Sequence, residues 1–409
     1  MLRLACRNLL RNRTLSAICC ASVAGTLTLV IMGNNLNHGT YLTMLEKGIS
    51  TTAGHVVIQG QGWKDNPDPL KHRVEGATEL AAQVQGLHPQ AIVLQRTFLG
   101  GLLSSASNSV AVAVQAVVAQ DERQVTDLHE KIVEGTWLQE DDSRGIVLGF
   151  ELANKLEVSV GKKVVLMGQG KEDVASRLFR VRGLVRTGAA QADGFLAVVS
   201  LAGAQDFLDQ PDAASQVSLH LDDPDSTDAV LAAVKSSLGN REGLEILGWK
   251  EAIDNLYEFT EVDRATNNKF MFIIGIIGAL VILNVILMSV MERMREFGVM
   301  LALGMTPSKL RRLILTEGLV LGLASAVLGL LGGSAVTAYL AHAGLDYSGM
   351  MGDTMEMSGV AISTHLYAAW DLNHMAASTV AAVLLSISAT IYPAWKAGRL
   401  QPVEAMRHV

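Results

Sequence analysis

The chain has 409 residues, of which 49% are hydrophobic, and its mean hydropathy of +0.30 is high for a soluble protein. Its net charge is -7, and all three cysteines lie within the first 20 residues. The composition therefore excludes a disulfide framework in the long polar middle of the chain and favours a membrane protein.

Four apolar segments are long enough to cross a bilayer, which takes about 20 residues. They predict transmembrane helices at 14–38, 269–291, 313–342 and 374–395. The segments between and around them are 1–13, 39–268, 292–312, 343–373 and 396–409. A cleaved signal peptide is the alternative to the first span, because that segment also has a basic start and an apolar centre.

The distribution of charge predicts the orientation. Residues 1–13 carry four Arg and no acid, 292–312 carry five basic and two acidic residues, and 396–409 carry three basic residues and one acid. In contrast, 343–374 carries four acids and no Lys or Arg, and 39–268 holds 32 acids and 20 bases. The basic segments and both termini are therefore expected in the cytoplasm, and the acidic segments outside it.

The large polar segment predicts a mixed α/β extracytoplasmic domain. Strands are predicted at 54–60, 91–99, 109–118, 178–188, 194–201, 215–221 and 244–250, and the stretch 145–168 predicts strand, helix, turn and strand. A helix is predicted at 78–87, and another at 226–239 with Ser226 as its cap and Gly239 at its end. Two strand–helix–strand units flank a middle block, which indicates a split domain that carries an insertion.

Motifs for chemistry are absent from the sequence. It contains no GxxxxGK[ST], HExxH, GxSxG or CxxC, and its ten His residues do not have metal-ligand spacing. We therefore expect no catalytic residue, metal or cofactor in this chain. The four Met of 349–359 are interpreted as an apolar cap at the outer membrane face, with a soft-metal site as the alternative.

Small residues form a stripe along the third predicted span. Its members are Gly318, Gly322, Gly329 and Gly333. Such a stripe lets another helix approach closely, either within the same subunit or at a subunit–subunit seam. Glu317, beside the stripe, is interpreted as an interfacial residue near Arg311 or Arg312.

The basic segment after the second span predicts a short helix. Residues 292–303 lack Pro and are rich in helix formers. Gly304 is expected to stop this helix, and Thr306 and Pro307 to begin the next one. An ordinary basic loop near anionic lipid is the alternative, but it does not explain the helix and its defined stop.

Two motifs resemble a known family. The stretch "ERMREFGVMLALGMTPSKLRRLILTEGLVLGLASAVLGLLGG" (292–333) resembles the core signature of the FtsX/MacB/LolE-type permeases, which are type VII ABC transporter subunits. "YPAWKAGRLQPVEAMR" (392–407) resembles their closing signature, with matches at Tyr392, Pro393, Ala394, Pro402, Glu404, Ala405 and Arg407. In the outer domain, stretches such as "GIVLGFELANKLEVSVGKKVVL" (145–166) look most like the lipoprotein-release permeases, LolC and LolE.

The resemblance implies a fold and a site. It implies four transmembrane helices and a porter-like split α/β domain with an inserted, strand-rich lobe at about 119–212. It also implies that the segment at about 292–305 is a coupling helix that docks on a separate ATPase subunit. The implied contacts are Glu292, Arg293, Arg295, Glu296, Phe297, Gly298, Leu303, Gly304 and Met305.

The resemblance also implies partners. Because the first span begins near residue 14, we expect the ATPase, which binds ATP and Mg, to be a separate chain that forms a dimer. A second permease copy or a related permease, lipoprotein cargo and a periplasmic carrier are further implied partners, in a bacterial inner membrane and without nucleic acid. Export with an adaptor and an outer-membrane duct is one alternative, and signalling to a cell-wall hydrolase is another.

Overall fold

A computed structural model describes residues 2–11, 13–140, 142–171, 173–239, 241–346, 354–357, 360–363 and 365–399. The closing signature beyond Arg399, with Pro402, Glu404, Ala405 and Arg407, and most of the Met-rich stretch 349–359 lie outside these residues. The chain divides into two compact units. A membrane unit comprises 1–42, 261–346 and 365–409, and an outer unit comprises 43–260 and 347–364.

Helices dominate the membrane unit. In chain order the helices of both units are α1 Leu2–Arg11, α2 Arg13–Gly48, α3 Ala77–Leu87, α4 Ala119–Val125, α5 Phe150–Leu156, α6 Ala190–Asp193, α7 Leu201–Leu208, α8 Thr227–Leu238, α9 Trp249–Ala252, α10 Asp254–Glu292, α11 Met294–Ala302, α12 Pro307–Ala343 and α13 Leu372–Ala397. The helices α3 to α9 belong to the outer unit. A π-helical turn, Ile49–Ala53, follows α2 directly, and a 3₁₀ turn, Pro224–Ser226, precedes α8.

Among the described residues, three helical stretches are long and apolar enough to cross a membrane. They are Ser16–Ala53, Pro307–Ala343 and Leu372–Ala397. The remaining predicted span lies within α10, a continuous helix whose side chains are described only in part. A total of four spans therefore stays a prediction.

Two of the long helices extend past their apolar segments. The first span was predicted to end at residue 38, but α2 continues to Gly48; the second was predicted to begin at 269, but α10 begins at Asp254. In the outer unit, Met44 and Leu256 from these extensions join Ile49, Val57 and Ile253 in one buried cluster. Burial of one apolar face stabilises a helix in water as well as in lipid, so the helices need not stop where the polar segment begins.

The outer unit is built on one large sheet. The strands from β1 to β12 are β1 Val56–Gly60, β2 Val74–Glu75, β3 Ile92–Ser104, β4 Ser109–Val117, β5 Ile132–Gly135, β6 Gly145–Gly149, β7 Lys163–Gln169, β8 Val174–Val185, β9 Leu196–Ser200, β10 Ala213–Ala214, β11 Gln216–His220 and β12 Leu244–Gly248. All belong to the large sheet except β2 and β10, which form a separate pair. Short strands elsewhere are β13 Leu345–Asp346, β14 Thr354–Met357, β15 Val360–Ser363 and β16 His365–Leu366. The main sheet has the order β12-β1-β11-β3-β4-β9-β6-β8-β5, and β7 pairs with β3 and β8.

Two main hydrophobic cores lie against this sheet. One is formed by β1, β11 and β12 with α3 and α8, and its residues come from both ends of the domain. The other is formed by β3, β4 and β6–β9 with α5 and α7, and its residues come from the middle. The structure therefore shows a mixed α/β domain with a second core formed by the middle of the chain. This core already includes β3 and β4, and the inserted lobe at about 119–212 stays a prediction.

The start of α8 differs from the prediction. Ser226 makes no side-chain cap; its hydroxyl instead donates to the Asp223 carbonyl at 2.6 Å. The Asp223 carboxylate accepts from the Asp225 N–H at 3.1 Å and so caps the 3₁₀ turn. Ser226 therefore stands at the N-cap position of α8, as predicted, but its side chain does not supply the cap, and Asp223 caps only the preceding 3₁₀ turn.

Strand β11 is buried on both faces. Val217 and Leu219 belong to the first core, while Gln216, Ser218 and His220 form a buried polar face on the other side. Burial lowers the pKa of His220 to about 3, with smaller contributions from the charge of Arg96 and from His55, so its ring is neutral at physiological pH. The alternating sequence therefore predicts the strand correctly, but its polar residues do not face water.

Candidate functional site

The predicted coupling segment is a separate short helix. The long helix α10 ends at Glu292, Arg293 has φ -100° and ψ 12°, and α11 then begins at Met294. Phe297 bonds back to the Arg293 carbonyl through its N–H at 3.0 Å. The chain thus breaks at one residue and continues as a helix that is independent of α10.

The end of α11 is fixed by backbone geometry. The Met305 N–H donates to the Met300 carbonyl at 3.0 Å, and the Gly304 N–H donates to the Leu301 carbonyl at 3.1 Å. Together these bonds form a Schellman motif, with Gly304 in the left-handed region at φ +94°. The prediction that Gly304 stops this helix is confirmed.

The next helix begins as predicted, with one difference. Pro307 is the first residue of α12, where its missing N–H costs nothing, and Thr306 precedes it. The Thr306 hydroxyl makes no capping bond and lies 3.2 Å from the Ser308 hydroxyl. Pro307 and the Schellman motif therefore define this turn without a side-chain cap.

One face of α11 is buried against the long helices. The Phe297 ring is fully buried, in a cluster with Val23, Val290, Leu310 and Ala394. The Arg293 guanidinium lies 5.0 Å from the centre of the same ring. These contacts hold α11 to α2, α12 and α13 through its apolar face.

A buried polar network reinforces this attachment. Nη1 of Arg293 lies 2.9 Å from Oε2 of Glu317, and both side chains are at least 90% buried. Nδ2 of Asn8 donates to Oε1 of Glu317 at 2.8 Å. The Glu296 carboxylate accepts from Arg293 at 3.4 Å and pairs with Arg11. The network connects α1, α11 and α12.

The interpretation of Glu317 is corrected by this network. It was expected near Arg311 or Arg312, but its partners are Arg293 and Asn8. Helical neighbours are three or four positions apart, whereas Arg312 and Arg311 precede Glu317 by five and six positions. Only the turn between α11 and α12 brings Arg293 to this carboxylate.

Burial divides the predicted coupling residues into two groups. Arg293, Phe297 and Gly298 are buried inside the membrane unit, so they hold α11 in place and are not available to a docked protein. The exposed or partly exposed members are Glu292, Arg295, Glu296, Leu303, Gly304 and Met305. Contact of these residues with an ATPase stays a prediction.

The sequence did not single out one exposed residue of α11. Val299 is 43% exposed and lies four positions before Leu303, which is 83% exposed. Residues four apart share a helix face, so Arg295, Val299 and Leu303 lie along one exposed face of α11. We call these three residues the α11 exposed face. The signal available in the sequence was two apolar residues four positions apart in a basic segment.

The glycine stripe packs two different helices against α12. A Cβ at Gly318 or Gly322 would meet Thr390 or Ser386 of α13, and a Cβ at Gly329 or Gly333 would meet Leu27 or Ile31 of α2. All four glycines are buried within the single chain. The contacts are therefore those expected for packing inside one subunit.

No metal site is evident in the described part of the chain. Among those residues, no group of three or more His, Cys, Asp or Glu side chains could hold a metal ion. The membrane unit does contain a cavity of about 500 Å³ between α2, α10 and α13. Its walls are mainly apolar, and Asn34 and Asn268 are among its few polar lining residues.

The described structure combines long apolar helices, a short helical segment between two of them, and an α/β domain. The sequence matches the FtsX-like permease C-terminal family over residues 268–402. It also matches the MacB-like periplasmic core domain over residues 16–237, more than half of the chain. The chain belongs to the FtsX/MacB/LolE-type permeases, the membrane subunits of type VII ABC transporters.

The curated relatives include lipoprotein-releasing and macrolide export proteins. The lipoprotein-releasing system transmembrane protein LolC of Neisseria meningitidis is 26% identical over 320 residues, covering 75% of each chain. LolE of Haemophilus influenzae is 25% identical over 312 residues, covering 75% of this chain and 74% of that one. The macrolide export ATP-binding/permease protein MacB of Hyphomonas neptunium is 27% identical over 226 residues, covering 52% of this chain and 34% of that one.

The buried pair gives a first prediction. Replacing Glu317 by Ala leaves the buried Arg293 guanidinium with only the half-exposed Glu296 carboxylate, at 3.4 Å, and loss of a buried partner costs about 3–5 kcal/mol. Hydrogen exchange of the α12 amides in the purified chain should report this loss, and the double variant R293M/E317L should recover most of it. Glu292→Ala, at an exposed carboxylate, is the matched control. Equal protection in E317A and E292A would refute the role of the pair.

The stripe gives a second prediction. A Cβ at Gly329 would lie 2.8 Å from Cβ of Leu27, whereas a Cβ at Gly275 has nothing within 4 Å. Gly329→Ala should therefore destabilise the membrane unit by about 1–3 kcal/mol through overpacking. Gly275→Ala should be neutral or slightly stabilising, because Ala favours helix. Thermal unfolding of both variants in the same detergent checks this, and identical curves would contradict it.

Proposed function

We propose that this chain is the permease subunit of an ABC complex that releases lipoproteins or similar amphipathic cargo from the bacterial inner membrane. A separate ATPase subunit hydrolyses ATP, and the permease carries the resulting motion to the outer domain, a process called mechanotransmission. The observation that carries the proposal is the similarity to LolC and LolE, which extends over about three quarters of both chains.

The orientation follows from charge. Both termini and the α11 segment lie in the cytoplasm, where basic residues accumulate, and the acidic outer domain lies in the periplasm. Four spans, with α10 as the second, place α11 on the cytoplasmic side of the membrane. The α11 exposed face then points to the compartment that holds ATP.

The contacts of α11 support a mechanical link. The Arg293–Glu317 pair ties α11 to α12, and Phe297 ties it to α2 and α13. The glycine stripe packs α12 tightly on the same two helices. A push on α11 is therefore passed to the membrane helices, because packed interiors have low compressibility.

The cavity between α2, α10 and α13 supports an amphipathic cargo. Its volume of about 500 Å³ and its apolar walls suit an acyl chain, whose transfer from water is favourable in proportion to its apolar area. Asn34 and Asn268 lie near the outer ends of the first and second spans, which were predicted at 14–38 and 269–291, and can bond a polar linkage. Cargo then enters between the first and second spans.

Export with an adaptor and an outer-membrane duct is the second candidate. It is supported by the similarity to a macrolide export protein. That similarity covers 52% of this chain, whereas the similarity to LolC covers 75%. Lipoprotein release therefore remains the first proposal.

A third prediction tests ATPase docking at the α11 exposed face. Leu303→Asp or Val299→Asp should reduce the ATPase that co-purifies with the chain by about tenfold or more, because charged residues are disfavoured at the core of an interface. Phe297→Asp does not isolate docking, since Phe297 is buried. Leu87→Asp, at an exposed Leu of the outer unit, is the control. If both α11 variants co-purify with as much ATPase as the wild type, the docking role is refuted.

A fourth prediction tests the cargo. A photo-crosslinking residue in place of Phe272, which lines the cavity, should capture lipoproteins in intact cells. The same residue in place of Leu331, which is exposed on α12 and does not line the cavity, should not. Mass spectrometry identifies the products. Recovery of an adaptor or of a cell-wall hydrolase, with no lipoprotein from either position, would exclude lipoprotein release.

A further inference from the structure

The first membrane helix ends in an unusual way. It continues past Gly48 as the π-helical turn Ile49–Ala53, which is closed by a bond from the Gly54 N–H to the Ile49 carbonyl at 2.8 Å. The last carbonyls of any helix lack an N–H partner from the helix itself. At this end, side chains from the sheet supply two partners. Arg96 Nη2 donates to the Ser50 carbonyl at 2.8 Å, and Gln216 Nε2 donates to the Thr52 carbonyl at 2.5 Å.

Arg96 reaches beyond this turn to a second element. It lies on β3, is fully buried, and forms a two-pronged pair with Glu122 of α4, through Nε at 3.0 Å and Nη2 at 2.8 Å. Glu122 is 1% exposed and stands at the start of the predicted inserted lobe. One guanidinium thus joins the end of the first helix, the central sheet and the first helix of the insertion.

The charges around the Arg96 guanidinium suit a side chain that binds the end of a helix. A cation is favoured at the C-terminal end of a helix, where the carbonyl dipoles point outward. His220, on the neighbouring strand, has its pKa lowered to about 3 by burial and by the Arg96 charge, and is neutral. One turn earlier, Lys47 pairs with Asp127, just after α4, at 2.9 Å. Two cationic side chains therefore link the α2 end to the region of α4.

We infer that Arg96 is a positioning residue that fixes the end of the first membrane helix to two parts of the outer domain: the central sheet, through β3, and the predicted inserted lobe, through α4. The inference deepens the proposed function and rests on it for its mechanical meaning: a displacement of the α2 end reaches the inserted lobe through the Arg96 guanidinium. The contacts themselves do not depend on that proposal.

A purely structural role for the Arg96–Glu122 pair makes a different prediction. A buried pair can often be replaced by apolar residues of similar volume without loss of stability. If the pair only fills the core, the double variant R96M/E122L should keep both the stability of the domain and the protection of the π-helical turn. If Arg96 positions the helix end, the same variant leaves the core intact but loses the donor to the Ser50 carbonyl.

Hydrogen exchange on the full-length protein in lipid nanodiscs, without nucleotide, separates the two roles. In R96M/E122L the amides of residues 50–54 should exchange about tenfold faster, as expected for loss of a hydrogen bond to a charged group, while the β3 amides keep their protection. Gln216→Leu should give a smaller acceleration at the same amides. Thr126→Val, which removes a bond to Glu122 without touching the turn, is the matched control and should change nothing there. Unchanged exchange at 50–54 in the double variant would overturn the inference.

A second measurement separates this inference from the proposed function. Spin labels at Leu87 and Val133, both exposed, report the distance between the first lobe and the insertion. In the assembled complex, adding ATP should change this distance in the wild type and change it much less in R96M/E122L, with ATP hydrolysis retained. If the distance in the wild type does not change when ATP is added, the relay is refuted. The hydrogen-exchange result still decides whether Arg96 positions the helix end. An equal change in both proteins would refute the role of Arg96 in the relay.

Discussion

Burying a guanidinium and a carboxylate away from water costs several kcal/mol for each ion, and Arg293 and Glu317 are both at least 90% buried. Each charge is compensated only when α11, α12 and α1 stand in one arrangement, because Asn8 supplies the remaining bond to the carboxylate. The pair therefore selects a geometry more than it adds net stability. That geometry determines which side of α11 is exposed, and so which residues can meet another protein.

Local chemistry was sufficient to predict the end of α11 and the start of α12. A glycine that tolerates a positive φ and a proline that suits the first position of a helix act through their own backbone, so Gly304 and Pro307 could be interpreted without knowledge of the rest of the chain. The strands of the outer unit were predictable for a similar reason. Their alternating or continuous apolar residues reflect a period that does not depend on their neighbours in space.

Contacts between distant parts of the chain were not predictable in this way. The partner of Glu317 is 24 residues away in sequence, and nothing in the local pattern distinguishes Arg293 from Arg311 or Arg312. Likewise, the sequence did not predict that Gln216 of β11 would bind the turn at 49–53. The apolar pattern of the first span ends before this turn, so the pattern did not indicate that the helix continues to the sheet. The sequence also predicted both Phe297 and Leu303 as contacts of the ATPase. In the structure Phe297 is buried and Leu303 is exposed, and this difference depends on packing between distant helices.

The π-helical turn at the end of α2 holds one more residue per hydrogen-bonded ring than an α-helix does. Each helical residue advances the chain by about 100° around the axis. Removing one residue from this turn would therefore rotate the last residues of α2 by about that angle relative to the sheet. Lys47 would then turn away from Asp127. The length of this turn is consequently a fixed dimension of the domain, less tolerant of a one-residue deletion than a surface loop of the same size.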